Sequence, residues 1–147
     1  MVLERLRRLL PGPWAGVLLC IGAIAAPAAF ALLERPLAGQ VVGWFFQREA
    51  WLSLVLAVLL LVLERPRARA AAAAGQGSVL STEMLLLLAT VFCTVAGYFA
   101  LQPLMAGART GQGPLSFGQL HFISVGFFLA KLLCITALAW RAAGPRL

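Results

Sequence analysis

Four long apolar runs constrain the fold of this chain more than any other feature. An α-helix rises about 1.5 Å per residue, so about 20 apolar residues cross the ~30 Å hydrocarbon core of a bilayer. Only 12% of the residues are charged and 62% are hydrophobic, whereas a soluble domain carries about 25% charged residues. The sequence therefore predicts one all-α domain over residues 1–147, an integral membrane four-helix bundle surrounded by lipid. The predicted helices cover residues 14–33, 37–63, 83–104 and 117–140.

The first apolar run has an alternative interpretation as a cleaved signal peptide. Arginines precede it, and Ala29-Phe30-Ala31 resembles an A-x-A cleavage site. We favour a retained membrane helix, because the run is long and another membrane segment follows it.

The second run is interrupted by the polar sequence Gln47-Arg48-Glu49. Either one long helix carries a polar belt, or an interfacial helix over 37–46 precedes a shorter one. We predict one continuous helix, because no glycine or proline stands near residue 48. The sequence Leu-Glu-Arg-Pro at 33–36 recurs at 63–66, and we interpret both copies as signals that end a helix. Residues 64–81 are then expected to form a solvated loop.

Arginines at the ends of the apolar runs predict the orientation of the chain. Cytoplasmic segments of membrane proteins carry an excess of Lys and Arg. Three arginines precede the first run, three follow the second and two follow the fourth, so we expect both termini in the cytoplasm (N-in, C-in). The net charge of +7 does not predict nucleic acid binding, because no polar segment interleaves basic and aromatic residues. The eight arginines are Arg5, Arg7, Arg8, Arg65, Arg67, Arg69, Arg141 and Arg146, against Arg35 and Arg109 on the opposite side.

Small residues recur at helical spacing in every predicted helix. Helix association in lipid depends on close contact through such residues. The second helix contains a GxxxG motif, and the other three carry Gly, Ala or Cys at similar spacing. We therefore predict a tight bundle, with a homo-oligomer or a membrane-protein partner as a further expectation. The glycines expected to mediate packing are Gly39, Gly43, Gly97 and Gly126.

Several polar residues fall inside the predicted helices, where ionisable groups are costly and need a reason. Counting residues from the cytoplasmic helix ends places most of them in the outer half of the membrane, with Lys131 deeper. One hypothesis is a polar pocket that opens to the non-cytoplasmic side. The alternative is that the Arg48 and Glu49 side chains reach the outer interface, His121 caps the fourth helix, and Lys131 reaches inward. The candidate pocket residues are Arg48, Glu49, Gln102, His121, Ser124 and Lys131.

The sequence offers little for catalysis. It contains no Ser/His/Asp arrangement, no paired carboxylates and no phosphate-binding loop, so an enzyme is not favoured. No cofactor is predicted. A haem or copper site that uses His121 is the alternative, although a single histidine excludes bis-histidine haem ligation within one chain. Neither the methionines nor the three cysteines show ligand spacing.

Four short motifs occur in order along the chain. They are Ala26-Pro27 with Phe30 and Leu33, Ala38-Gly39 with Phe46, Gln102-Pro103, and Phe117 with Leu120-His121 and Ser124. Together they resemble the uncharacterised bacterial membrane family defined by domain of unknown function 4149, which is shared with eukaryotic transmembrane protein 205-like proteins. The resemblance implies a four-helix domain in a bacterial inner membrane and no established reaction. Phe122 and Phe127 stand where the family often has Gly and Asn, which argues against carrying a ligand role onto His121 and Ser124.

The sequence thus favours a non-enzymatic inner-membrane protein. Its expected activity is to bind or pass a small solute, or to assist another membrane protein, through a polar pocket facing outward. The competing class is a redox or metal-handling membrane protein that uses His121, since the family is also distantly similar to copper-resistance and haem-dependent four-helix membrane proteins.

Overall fold

Four helices make up the fold in the computed structural model, which describes residues 2–144. They are α1 (Val2–Leu32), α2 (Arg35–Ala73), α3 (Thr82–Arg109) and α4 (Phe117–Ala143). All four are long and apolar enough to cross a membrane, and residues 2–144 contain no strand. The prediction of an all-α, four-helix membrane bundle is confirmed at this level. Arg146, one of the arginines used to predict the orientation, lies outside the described residues.

The second helix is continuous through Gln47-Arg48-Glu49, as predicted, but it does not end at residue 63. It passes through Pro66 and ends at Ala73, so the first half of the predicted 64–81 loop is helical. A proline inside a helix removes one hydrogen bond and crowds the preceding turn. Here the alanine-rich stretch that follows has high helix propensity, and Ala68 is buried in the bundle.

The first helix also extends beyond its predicted start at residue 14, to Val2. Glu4 accepts hydrogen bonds from Arg7 and Arg8, one turn further along the helix. Arg7 in turn bonds Glu64 on α2. These polar contacts hold helical turns that the apolar pattern does not reveal.

Two helices contain a widened, π-helical turn just before a proline. The turn in α1 covers Cys20–Ala25, ahead of Pro27, and the turn in α3 covers Val95–Ala100, ahead of Pro103. A proline crowds the carbonyl four residues before it, and in both helices that carbonyl lies within the widened turn. Such turns change the direction of a helix locally.

The four helices run alternately up and down, and neighbours in sequence are neighbours in space. At the end where α1 begins and α4 ends, called the termini end, all four pack around one core. In the other half, called the turn end, Ala26–Leu32 stays against α2 while Leu101–Arg109 stays against α4. The bundle therefore splits into two hairpins, α1–α2 and α3–α4, separated by a cleft. The core at the termini end contains Trp14, Leu18, Leu60, Leu87, Ile135 and Leu138.

Candidate functional site

A buried ion pair joins the two hairpins at the base of the cleft. The ammonium group of Lys131 on α4 donates hydrogen bonds of 2.7 and 2.8 Å to the two carboxylate oxygens of Glu49 on α2. The side chains are only 4% and 2% exposed. A charge removed from water is tolerated when it is paired and hydrogen-bonded, and each of these charges has its partner.

The ion pair extends into a short hydrogen-bond chain that reaches a third helix. The Ser53 hydroxyl donates to Glu49 Oε1 at 2.5 Å and accepts from the indole N–H of Trp14 at 3.0 Å. Trp14, Ser53, Glu49 and Lys131 are all buried. Because Trp14 belongs to α1, this chain of hydrogen bonds connects α1, α2 and α4 at one level of the bundle.

The sequence did not predict this pairing. Residue counting put Glu49 and Lys131 about 9 Å apart along the bundle axis, and the alternative interpretation had each side chain reach a different interface. Instead the two side chains meet in the interior. Residue counting assumes that the chosen ends of the two helices lie at the same height in the membrane. It also ignores the length of the Glu and Lys side chains, which together bridge the difference.

The cleft between the hairpins has a volume of about 730 Å³. Most of its wall is apolar, and Phe128 lies at its base. The Phe128 ring is 5.3 Å from the Lys131 ammonium and 5.3 Å from the Phe46 ring. All four helices contribute to the wall, including Leu18, Gly22, Ala23, Pro27, Phe30, Val42, Tyr98, Met105, Val125 and Leu129.

Five of the six candidate pocket residues line this cleft. They are Glu49, Gln102, His121, Ser124 and Lys131. Arg48 does not: its side chain is exposed and its guanidinium lies 5.1 Å from the centre of the Trp44 ring. Neighbouring residues on a helix point about 100° apart, so Arg48 cannot share the direction of Glu49.

Two of these residues have defined local contacts. The Ser124 hydroxyl donates to the backbone carbonyl of Gly97 at 2.8 Å, within the π-helical turn of α3. His121 stacks on Phe117, with ring centres 5.8 Å apart. His121 does not cap α4, as one interpretation expected, because Ser116 and Gln119 form the capping box there.

The mouth of the cleft holds a cation, Arg109, whose place in the sequence predicted only the orientation of the chain. Arg109 lines the cleft, and its guanidinium lies 4.6 Å from the centre of the Phe117 ring. Arg109 ends α3 and Phe117 begins α4, so the short α3–α4 loop brings them together. A short loop between two helices was the signal that could have placed Arg109 beside His121.

The four packing glycines differ in their surroundings. A Cβ atom on Gly97 would lie 2.4 Å from the Phe127 Cβ, so α3 and α4 approach closely there. At Gly39, Gly43 and Gly126 an added Cβ would meet no described side chain within 4 Å. Gly39 and Gly43 instead line the cleft.

Residues 2–144 contain no group of three or more His, Cys, Asp or Glu side chains that could hold a metal ion. The three cysteines are free thiols, and Cys93 is buried. His121 lies against an aromatic ring near the cleft mouth.

Four apolar helices with a charged pair in their interior define a multi-pass membrane protein. The chain belongs to the family described as Domain of unknown function (DUF4149), whose model matches residues 9–113. This match confirms the family inferred from the short motifs, while the bacterial origin and the relation to transmembrane protein 205 stay predictions. No curated protein and no solved structure matches the chain. The matched region ends before α4, which supplies His121, Ser124 and Lys131.

Proposed function

We propose that this protein lies in a bacterial inner membrane and binds a small amphipathic molecule with an acidic headgroup in the cleft at the turn end. The observation that carries the proposal is a cleft of about 730 Å³, which falls within the ~300–1,000 Å³ common for small-molecule sites. Such sites combine apolar walls with a few placed polar groups. The wall of this cleft is likewise mostly apolar, with a few polar side chains.

The polar groups of the cleft suggest how the ligand lies. Three polar side chains lie toward the mouth of the cleft, those of Gln102, Arg109 and His121. An arginine can hold a carboxylate or phosphate through two parallel hydrogen bonds. Below them the wall is apolar down to Phe128. An acidic headgroup at Arg109 with an apolar chain pointing toward Phe128 satisfies both environments.

The packing below the cleft favours binding over free passage of a solute. The core of the termini end lies between the ion pair and the opposite surface, and its large side chains are fully buried. Passage of a solute would require this core to open. A ligand that enters the cleft therefore stops at Phe128 and the Glu49–Lys131 pair.

The arginine distribution supports placing the cleft on the non-cytoplasmic side. Arginines gather where α1 begins, around the end of α2 and at the end of α4, and such a bias accompanies the cytoplasmic side. With both termini inside a bacterial cell, the cleft faces the outer leaflet of the inner membrane. Amphipathic molecules can then enter from the lipid or from the periplasm.

A fluorescent fatty acid, cis-parinaric acid, tests the proposal with the purified full chain in detergent micelles. We expect saturable binding that Arg109→Gln weakens and that Ala23→Phe, which fills the cleft, abolishes. Arg48→Gln and Ala28→Phe are the matched controls, because neither residue lines the cleft, and both should bind as the wild type does.

Equal binding by all four variants would contradict the proposal. A Soret band or stoichiometric copper in the purified protein, lost in His121→Ala, would instead support the haem or copper alternative.

A further inference from the structure

We infer that the termini end of the bundle carries a second binding site, for a phosphate group. A cavity of about 580 Å³ opens there, on the far side of the core from the cleft, and we call it the arginine basin. Every helix contributes at least one charged side chain to it. The charged residues of the basin are Glu4, Arg7, Arg8, Glu64, Arg67, Glu83 and Arg141.

Some of these charged side chains form ion pairs with one another, and we call these pairs the fixed frame. Arg7 donates to both oxygens of Glu4 and, at 3.1 Å, to Glu64, and its side chain is only 11% exposed. On the other side of the basin, two nitrogens of Arg141 lie 2.8 and 2.7 Å from one oxygen of Glu83. These contacts join α1 to α2 and α3 to α4.

Other arginine donors are not used by this frame. The Arg67 guanidinium lies 3.9 and 3.8 Å from the Glu4 and Glu64 carboxylates, which is too long for a hydrogen bond. Its side chain is 48% exposed. Arg8 bonds Glu4 through Nε alone, so within residues 2–144 its two terminal nitrogens have no hydrogen-bond partner.

The charge balance of the basin favours an anion. Four arginines and three glutamates leave a formal charge of +1, and the nearby exposed arginines Arg5 and Arg65 add to the positive field. Leucines of the core, Leu60, Leu87 and Leu138, close the basin on its inner side. The basin is therefore open to the surface of the membrane and not to the cleft.

Guanidinium groups bind phosphate oxygens through paired hydrogen bonds, and basic pockets between membrane helices accommodate anionic lipid headgroups. A cavity of this size can take the headgroup of an anionic phospholipid or a soluble compound with one or two phosphate groups. Both ligands present the same chemistry to Arg8 and Arg67.

The test compares phosphatidylglycerol, phosphatidylcholine and inorganic pyrophosphate, each added to the full chain in detergent while its thermal unfolding is followed. We expect phosphatidylglycerol to raise the unfolding temperature and phosphatidylcholine not to do so. A rise with pyrophosphate as well would support a site for soluble phosphate compounds, whereas a rise with the lipid alone would support a headgroup site.

Arg67→Gln should weaken the binding of phosphatidylglycerol about five-fold, which corresponds to one arginine near an anionic lipid surface. Arg69→Gln is the matched control, because it is exposed two residues further along α2 and does not line the basin. If Arg67→Gln fails to fold, Arg67→Lys keeps the charge and loses the planar fork, and it should also bind less tightly. Arg109→Gln changes only the cleft. A loss of phosphatidylglycerol binding in Arg109→Gln but not in Arg67→Gln would place the lipid in the cleft and overturn the inference.

No response to either phosphate compound would overturn the inference. The same loss in Arg69→Gln as in Arg67→Gln would also overturn it, because binding would then follow the general surface charge.

Discussion

Replacing Glu49 by Gln should strongly destabilise the bundle. The amide keeps the shape of the carboxylate but leaves the Lys131 ammonium without its counter-charge, in a place where the two side chains are only 4% and 2% exposed. Breaking a buried pair by removing one partner costs about 3–5 kcal/mol. Since each 1.4 kcal/mol is a factor of ten, the ratio of folded to unfolded protein should fall about 10²- to 4 × 10³-fold.

The free energy of unfolding can be measured by titrating sodium dodecyl sulfate into mixed micelles and following helix content by circular dichroism. Glu34→Gln is the matched control, because it makes the same chemical change at an exposed carboxylate in the α1–α2 turn. Surface substitutions of this kind usually change stability by about 0.5 kcal/mol or less.

The double variant Glu49→Leu with Lys131→Met separates loss of the pair from loss of packing. Replacement of a buried ion pair by apolar residues is often neutral or stabilising by about 1–4 kcal/mol. We therefore expect the double variant to recover most of the stability that Glu49→Gln loses. A loss below about 1 kcal/mol in Glu49→Gln would refute the reasoning, because Lys131 would then reach water without its partner.

Two further predictions concern packing and orientation. Gly97→Ala should cost about 1–3 kcal/mol by forcing α3 and α4 apart at Phe127, whereas Gly126→Ala, with open space around it, should be neutral or stabilising in the same unfolding assay. In a variant without the three native cysteines, Glu34→Cys should react with a membrane-impermeant maleimide added to intact cells and Gln76→Cys only after the cells are opened; the reverse pattern would contradict the predicted orientation.

Helical spacing in the sequence predicts part of the arrangement of the site. His121, Ser124 and Lys131 share one face of α4 by spacing alone, and the structure brings all three to the cleft. Glu49 and Lys131 are 82 positions apart, and their contact depends on how α2 and α4 sit across the bundle. Arg48 and Glu49 look equivalent in sequence, but only the direction of each side chain decides which one is buried.

The number and type of the helices follow from the sequence alone. A bilayer core offers no hydrogen-bond partners, so each long apolar run must satisfy its backbone internally and becomes a helix. The ends of the helices and the cleft depend on tertiary structure. The turns beyond Pro66 and before Trp14 are held by contacts between helices at the termini end, such as Arg7 with Glu64. The hairpins separate in the half of the bundle that follows the widened turn of each of α1 and α3. Where helices meet depends on packing between segments that are distant in sequence, which the local pattern does not encode.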